Sequence, residues 1–151
     1  MTRLKLAIAC AAIAAAGAAS AQSADTAAYT KTVEGSFADI AFAVEQAIVS
    51  EGLVIDFTSH IGDMLERTRE DVGSSTQLFT AADSFSFCSA QVSREVMEAD
   101  VTNIQYCPYA VFLYETPDQP GKITVGHRVY PGETMAPVNT LLNRIVDTAA
   151  N

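Results

Sequence analysis

The spacing of apolar residues predicts a chain in which strands alternate with helices. Over residues 37–50, apolar side chains recur at three- and four-residue steps, which is typical of an amphipathic helix, and Gly52 follows as a helix stop. The same spacing predicts a last helix over residues 137–149. Two shorter helices are predicted between them, one from Ile61 towards Gly73 and one over residues 91–99.

Alternating or wholly apolar segments predict five strands. They cover residues 29–33, 53–60, 84–88, 104–115 and 122–130. Turn-forming residues, ending in Pro120-Gly121, join the last two strands into an antiparallel hairpin. This pattern predicts an α+β fold with a mainly antiparallel sheet and with the first and last helices packed on one face. Because residues 110–114 are apolar on both sides, we expect the two shorter helices to cover part of the second face.

The first 21 residues have the pattern of a secretory signal peptide. Arg3 and Lys5 precede an alanine-rich apolar run, and Ala19-Ser20-Ala21 offers a cleavage site of small residues. The run is shorter than the roughly 20 residues that a membrane-spanning helix needs. We therefore expect a periplasmic or secreted protein, with a flexible arm over residues 22–28 and a single domain over residues 29–151.

The net charge of the chain limits the classes of partner that it could bind. The predicted signal contains two of the nine basic residues and none of the 18 acidic ones, so the mature chain carries a net charge of −11. Such a charge repels phosphate backbones and anionic lipids, although solubility alone would also explain it. We predict no nucleic-acid partner and no membrane span, which leaves an unidentified small ligand or protein partner.

Two cysteines, Cys88 and Cys107, remain after removal of the signal, which contains Cys10. In an oxidising compartment we expect them to form a structural disulfide. Closing this loop would stabilise the fold by roughly 3 kcal/mol. The alternative is a redox or sulfur-transfer pair, because Cys88 directly precedes a predicted helix whose N-terminus could lower a thiol pKa. Redox cysteines are usually closer together in sequence than these two.

Strand alternation raises a difficulty for the disulfide. It places Cys88 on the same face as Ser84 and Ser86, whereas Cys107 shares a face with apolar residues such as Val111. A bridge then requires either a bulge near Pro108 or cysteines so close to the strand ends that alternation has lapsed. The sequence leaves both explanations open.

A third hypothesis is a copper or haem site. His60 and Met64 lie one helical turn apart and, with Cys88 and Cys107, would form a soft ligand set suited to Cu(I). His60, however, falls on the polar side of its strand, Met64 is an ordinary core filler, and the Cys-x-x-Cys-His motif of covalent haem is absent. We therefore predict no metal and no cofactor.

The chain offers no sequence motif of a familiar enzyme class. Gly-x-Ser-x-Gly, Gly-x-Gly-x-x-Gly, the P-loop and His-Glu-x-x-His are all missing, which weakens the case for an enzyme. His127, beside Arg128 in a predicted strand, is interpreted as an exposed residue of the sheet rather than as a catalytic base. No catalytic residue is predicted unless Cys88 and Cys107 are a redox pair.

At Phe87-Cys88 and Cys107-Pro108 the chain resembles domain of unknown function 302. Generic members end one strand with a phenylalanine-glycine pair and open the next with a leucine-proline step, with a helix between them. This chain looks like the exported, cysteine-bearing branch of that family over residues 29–130. The resemblance implies a TATA-binding-protein-like α+β fold with a β-α-β(4)-α core. It implies no activity, substrate or cofactor.

Overall fold

A computed structural model describes residues 28–151 of the chain. The predicted signal peptide and residues 22–27 of the predicted arm lie outside the described residues. In chain order the elements are β1 (Ala28–Glu34), α1 (Phe37–Ser50), β2 (Ile55–His60), α2 (Ile61–Thr68), β3 (Ala81–Phe87), α3 (Ala90–Ala99), β4 (Tyr109–Glu115), β5 (Lys122–Arg128) and α4 (Ala136–Ala149). Short 3-10 helices span Val101–Tyr106 and Glu133–Met135.

The strands form one five-stranded sheet in the order β1-β5-β4-β3-β2, and every neighbouring pair is antiparallel. The sequence of elements is the expected β-α-β(4)-α core, with α2 and α3 inserted between consecutive strands. The predicted hairpin is confirmed, since the Lys122 amide donates to the Gln119 carbonyl at 3.1 Å and Gly121 has a φ of 77°. That positive φ suits the third position of a type II turn.

The core lies between one face of the sheet and helices α1 and α4. Helix α1 begins where the Ser36 side chain accepts a hydrogen bond from the Asp39 amide at 3.1 Å. Its buried face packs against α4. Alternate residues of the central strands complete this core, among them Phe85, Phe87, Val111 and Leu113. The predicted packing of the first and last helices on one face is confirmed.

The second face of the sheet is more open than the sequence indicated. Helix α3 buries Val96 in the same core as α1 and α4, so the expectation that it covers the second face is wrong. Helix α2 packs on β3, where Gly62 lies close to the backbone of Ala82. Elsewhere on this face Phe57 is 64% exposed and Phe112 is half-buried.

The strand predicted from residue 104 begins only at Tyr109. The side chain of Asp100 accepts hydrogen bonds from the Thr102 amide at 2.9 Å and from the Thr102 hydroxyl at 2.7 Å. Asn103 donates from its side chain to the Val96 carbonyl at 2.8 Å. These local bonds hold Val101–Tyr106 in a 3-10 helix in place of an extended strand. The peptide bond between Cys107 and Pro108 is cis.

A glycine in β5 allows an aromatic ring on the open face of the sheet to lie close to the strand backbone. Gly126 pairs with Phe112 in β4 and with Thr30 in β1. A Cβ atom on Gly126 would lie 2.6 Å from the Tyr29 carbonyl oxygen and 2.9 Å from Cζ of Phe112. The absent side chain therefore lets the Phe112 ring lie over the backbone of β5.

We predict that Gly126→Ala lowers the free energy of unfolding by about 1–3 kcal/mol, as overpacking does. Inside a strand, alanine is ordinarily more stabilising than glycine by roughly 0.5–1 kcal/mol. The change expected for Gly126→Ala therefore has the opposite sign to that of an ordinary glycine-to-alanine substitution. Urea unfolding measures the change. Gly35→Ala is the control, because its Cβ would meet Cδ1 of Ile40 at 3.4 Å, an ordinary contact. Equal stability of the two variants would contradict the prediction.

Candidate functional site

The register of the central strands brings the two sulfur atoms together. Phe87 and Tyr109 form the terminal pair between β3 and β4, with Cys88 just after the first strand and Cys107 just before the second. The two Sγ atoms lie 2.8 Å apart. Both cysteines are thiols in this structure, which does not show the predicted disulfide.

The position of the cysteines resolves the difficulty that strand alternation posed. β3 ends at Phe87 and β4 begins at Tyr109, so both cysteines lie outside the paired residues of their strands. Alternation therefore no longer fixes the direction of either side chain. Of the two explanations left open by the sequence, the lapse of alternation at the strand ends is the one observed.

The start of α3 and two hydroxyl groups surround the thiol pair. Ser89 caps α3 by accepting a hydrogen bond from the Val92 amide at 3.3 Å. One turn into the helix, the Ser93 hydroxyl lies 3.9 Å from Sγ of Cys107 and donates to the Tyr109 hydroxyl at 3.3 Å. Cys88 is exposed and Cys107 is partly buried, so a reagent in solution reaches the pair from the Cys88 side.

The electrostatic environment disfavours a thiolate at Cys88. Although the residue is exposed, partial desolvation of its sulfur raises the pKa of the Cys88 thiol to about 12, and the contact with Cys107 and the negative charge of Asp56 add to the increase. No cationic side chain contributes to the shift. A raised pKa is the opposite of the lowered pKa that typifies a nucleophilic redox cysteine.

A cleft next to the thiol pair is lined by residues that the sequence patterns did not identify as a site. It measures about 380 Å³ and opens on the uncovered face of the sheet. We call it the tyrosine cleft, and its lining includes Gln105, Tyr106, Pro108, Phe112, Arg128 and Tyr130. Three tyrosines pack edge to face here: the rings of Tyr106 and Tyr109 lie 5.3 and 5.9 Å from that of Tyr130.

The structure does not bring His60 and Met64 to the cysteines. His60 pairs with Asp83, five residues along β2 from Ile55, which lies opposite Phe87. At about 3.3 Å per residue, His60 is roughly 15 Å from the cysteine end of the sheet. Its Nδ1 contacts the Asp83 carboxylate at 2.9 Å, and this hydrogen bond raises the pKa of His60. Within residues 28–151, no cluster of three or more His, Cys, Asp or Glu side chains could hold a metal ion.

The interpretation of His127 as an exposed residue is wrong. The side chain is fully buried, because it lies on the face of β5 that carries Ile123 and Val125 and that α4 covers. Its Nδ1 is 2.7 Å from the Arg128 carbonyl and its Nε2 is 2.8 Å from Oδ1 of Asn143. His127 therefore links β5 to α4 as part of the core.

Comparison with known proteins agrees with this architecture. The family described as "Domain of unknown function DUF302" matches residues 29–145. The chain belongs to this family. No curated protein matches the chain. This DUF302 chain is also similar to a solved structure, "Crystal structure of uncharacterized conserved protein DUF302 from Bacillus stearothermophilus". The two share 16% identity with a TM-score of 0.56, over 80% of this chain and 88% of the other.

That level of identity supports the shared fold and nothing finer. The family match extends beyond the 29–130 expected from the sequence resemblance and includes most of α4. Within residues 28–151, no helix combines the length and the apolar character needed to cross a bilayer.

We predict that the dithiol form of this DUF302 domain loses stability at alkaline pH. The Cys88 pKa is higher in the folded chain than its ordinary value of 9.0, so folding favours the protonated thiol. This contribution is complete below about pH 9 and is lost as the pH rises towards about 12. Urea unfolding in the presence of a reductant, at several pH values across that window, measures the loss.

The control is the double variant Cys88→Ala/Cys107→Ala, in which every other group that titrates at high pH is retained. The reduced natural chain should lose more stability than this variant across the same pH window. Parallel pH profiles for the two proteins would contradict the raised Cys88 pKa.

Proposed function

We propose that the protein is an exported, single-domain binding protein in which a disulfide between Cys88 and Cys107 fixes the start of α3 to the start of β4. The observation that carries this proposal is the 2.8 Å separation of the two sulfur atoms beside the tyrosine cleft. Gln105, Tyr106 and Pro108 line that cleft and flank Cys107 in the chain. A bridge at Cys107 would therefore restrain one wall of the binding site.

The chemistry of the pair favours the bridged form over a free thiolate. Forming the bond removes two protons and two electrons from the thiols, and an exchange partner's disulfide accepts them and becomes two thiols. A thiol with a raised pKa gains little from ionisation near neutral pH, so no thiolate stabilises the reduced form against the disulfide. The opposite arrangement, with a stabilised thiolate, makes a disulfide strongly oxidising.

Export rests on the sequence pattern of residues 1–21 and on the use of cysteine. A basic start, a short apolar run and a small-residue cleavage site are typical of a secretory signal. Beyond the signal the chain retains only two cysteines, and the fold places them in contact. Such pairing suits an oxidising compartment, where disulfides persist.

We predict that chain recovered after export contains no free thiol. Alkylation in denaturant followed by mass measurement should add no adduct before reduction and two afterwards. Reduction should lower the thermal midpoint by roughly 10 °C, because opening the loop costs about 3 kcal/mol. The Cys88→Ala/Cys107→Ala variant should melt at the same temperature with and without reductant. Two adducts before reduction would remove the bridge from the proposal.

The second candidate is a thiol-based redox or sulfur-transfer protein. The observation in its favour is the exposure of Cys88, directly before the Ser89 cap of α3, because exposed disulfides are the more easily reduced ones. Equilibration of the pair with glutathione buffers separates the two candidates. A structural bridge should have a potential below about −300 mV, and a value well above that would favour the redox candidate.

A further inference from the structure

The tyrosine cleft contains a cation, Arg128, that forms no ion pair with any carboxylate of residues 28–151. Within the described part of the chain, four basic residues other than Arg128 each form an ion pair: Lys31, Arg69, Arg94 and Arg144. No described carboxylate lies within ion-pair distance of Arg128. Arg67 and Lys122 are also unpaired among residues 28–151, but neither lines this cleft.

A second hydrogen-bond donor, the Tyr130 hydroxyl, has no acceptor in the described structure. The residue as a whole is only 7% exposed. Among residues 28–151, every fully buried side-chain N or O atom has a hydrogen-bond partner. Because the Tyr130 hydroxyl has none, it is not fully buried and must reach solvent. Burial raises the pKa of Tyr130, the positive charge of Arg128 acts in the opposite direction, and both residues line the cleft.

The other residues that line the cleft indicate the chemical class of ligand that it could bind. The rings of Tyr106, Phe112 and Pro108 supply flat apolar surfaces, and about 380 Å³ lies within the usual range for small-molecule sites. A wholly apolar ligand would leave both donors unpaired, which is unfavourable. A polyanion would meet a single cation in a chain whose net charge is −9 over the full sequence and −11 without the predicted signal. A monoanion with a flat ring satisfies both constraints.

We infer that the tyrosine cleft binds a small aromatic carboxylate, whose two oxygens accept hydrogen bonds from Arg128 and Tyr130 while its ring packs against Tyr106, Pro108 and Phe112. The guanidinium group matches the geometry of a carboxylate, and the aromatic walls select the ring. This inference rests on the proposed binding function and specifies its ligand class. It does not depend on the oxidation state of Cys88 and Cys107.

The test is an NMR titration of the full exported chain with sodium benzoate, following tyrosine ring and arginine side-chain signals. We expect saturable shifts at Arg128 and Tyr130 with a Kd on the order of 1 mM, as suits so small a probe. Benzamide keeps the ring without the charge, acetate keeps the charge without the ring, and inorganic phosphate offers a different anion. Each of these three should bind at least tenfold more weakly.

Two variants and a matched control locate the site. Arg128→Gln should weaken benzoate binding at least tenfold, and Tyr130→Phe by a few-fold, because they remove a charged and a neutral hydrogen bond respectively. Arg67→Gln, an exposed cation of α2 outside the cleft, should leave the affinity unchanged. A two-dimensional amide spectrum confirms that each variant is folded.

Equal affinity for benzamide or phosphate at the cleft would overturn the carboxylate class while leaving the proposed binding function in place. Unchanged benzoate affinity in Arg128→Gln, or no saturable shift with benzoate up to about 20 mM, would also overturn the inference. The disulfide is judged separately by the thiol count. Failure of the bridge and failure of the ligand class are therefore distinguishable.

Discussion

The antiparallel register of β3 and β4 is the constraint on which the candidate site depends. Because Phe87 pairs with Tyr109, the chain leaves the sheet and returns to it at neighbouring points, although about 20 residues of helix and 3-10 helix intervene. The same pairing places both aromatic residues in the core beneath α1 and α4. A shift of one residue would exchange the buried and open faces of these strands.

The unequal burial of the two sheet faces determines which face a ligand in solution could reach. Three helices close one face, and even the polar His127 is buried there, because its two ring nitrogens lie within hydrogen-bond distance of the Arg128 carbonyl and the Asn143 side chain. On the other face, Gly126 gives the Phe112 ring room beside a backbone that would otherwise meet a side chain. Aromatic surface thus remains accessible to water at the end where Arg128 and Tyr130 lie.

Most of the fold could be predicted from the strongly periodic segments and the turn-forming residues. The boundaries of α1 are as predicted, α4 begins one residue early, and the Pro120-Gly121 hairpin is present. The sequence also singled out the cysteines that meet. The 3-10 helix before Cys107 was missed because side-chain bonds from Asp100 and Asn103 outweighed a strand-like pattern of residues. The burial of His127 and the tyrosine cleft depend on contacts between distant segments, which local periodicity does not report.

The thiol pair and the cleft share a short piece of backbone. Residues on both sides of Cys107 line the cleft, while Cys107 itself faces Cys88 and the Ser93 hydroxyl. Tyr109 joins the two regions, because its hydroxyl accepts from Ser93 and its ring packs against Tyr130. A bond between the sulfurs would therefore act on the cleft by restraining the backbone that carries Tyr106 and Pro108, without contributing an atom to the ligand contacts. Under the proposed function, the cysteines would shape a binding site whose polar recognition comes from Arg128 and Tyr130.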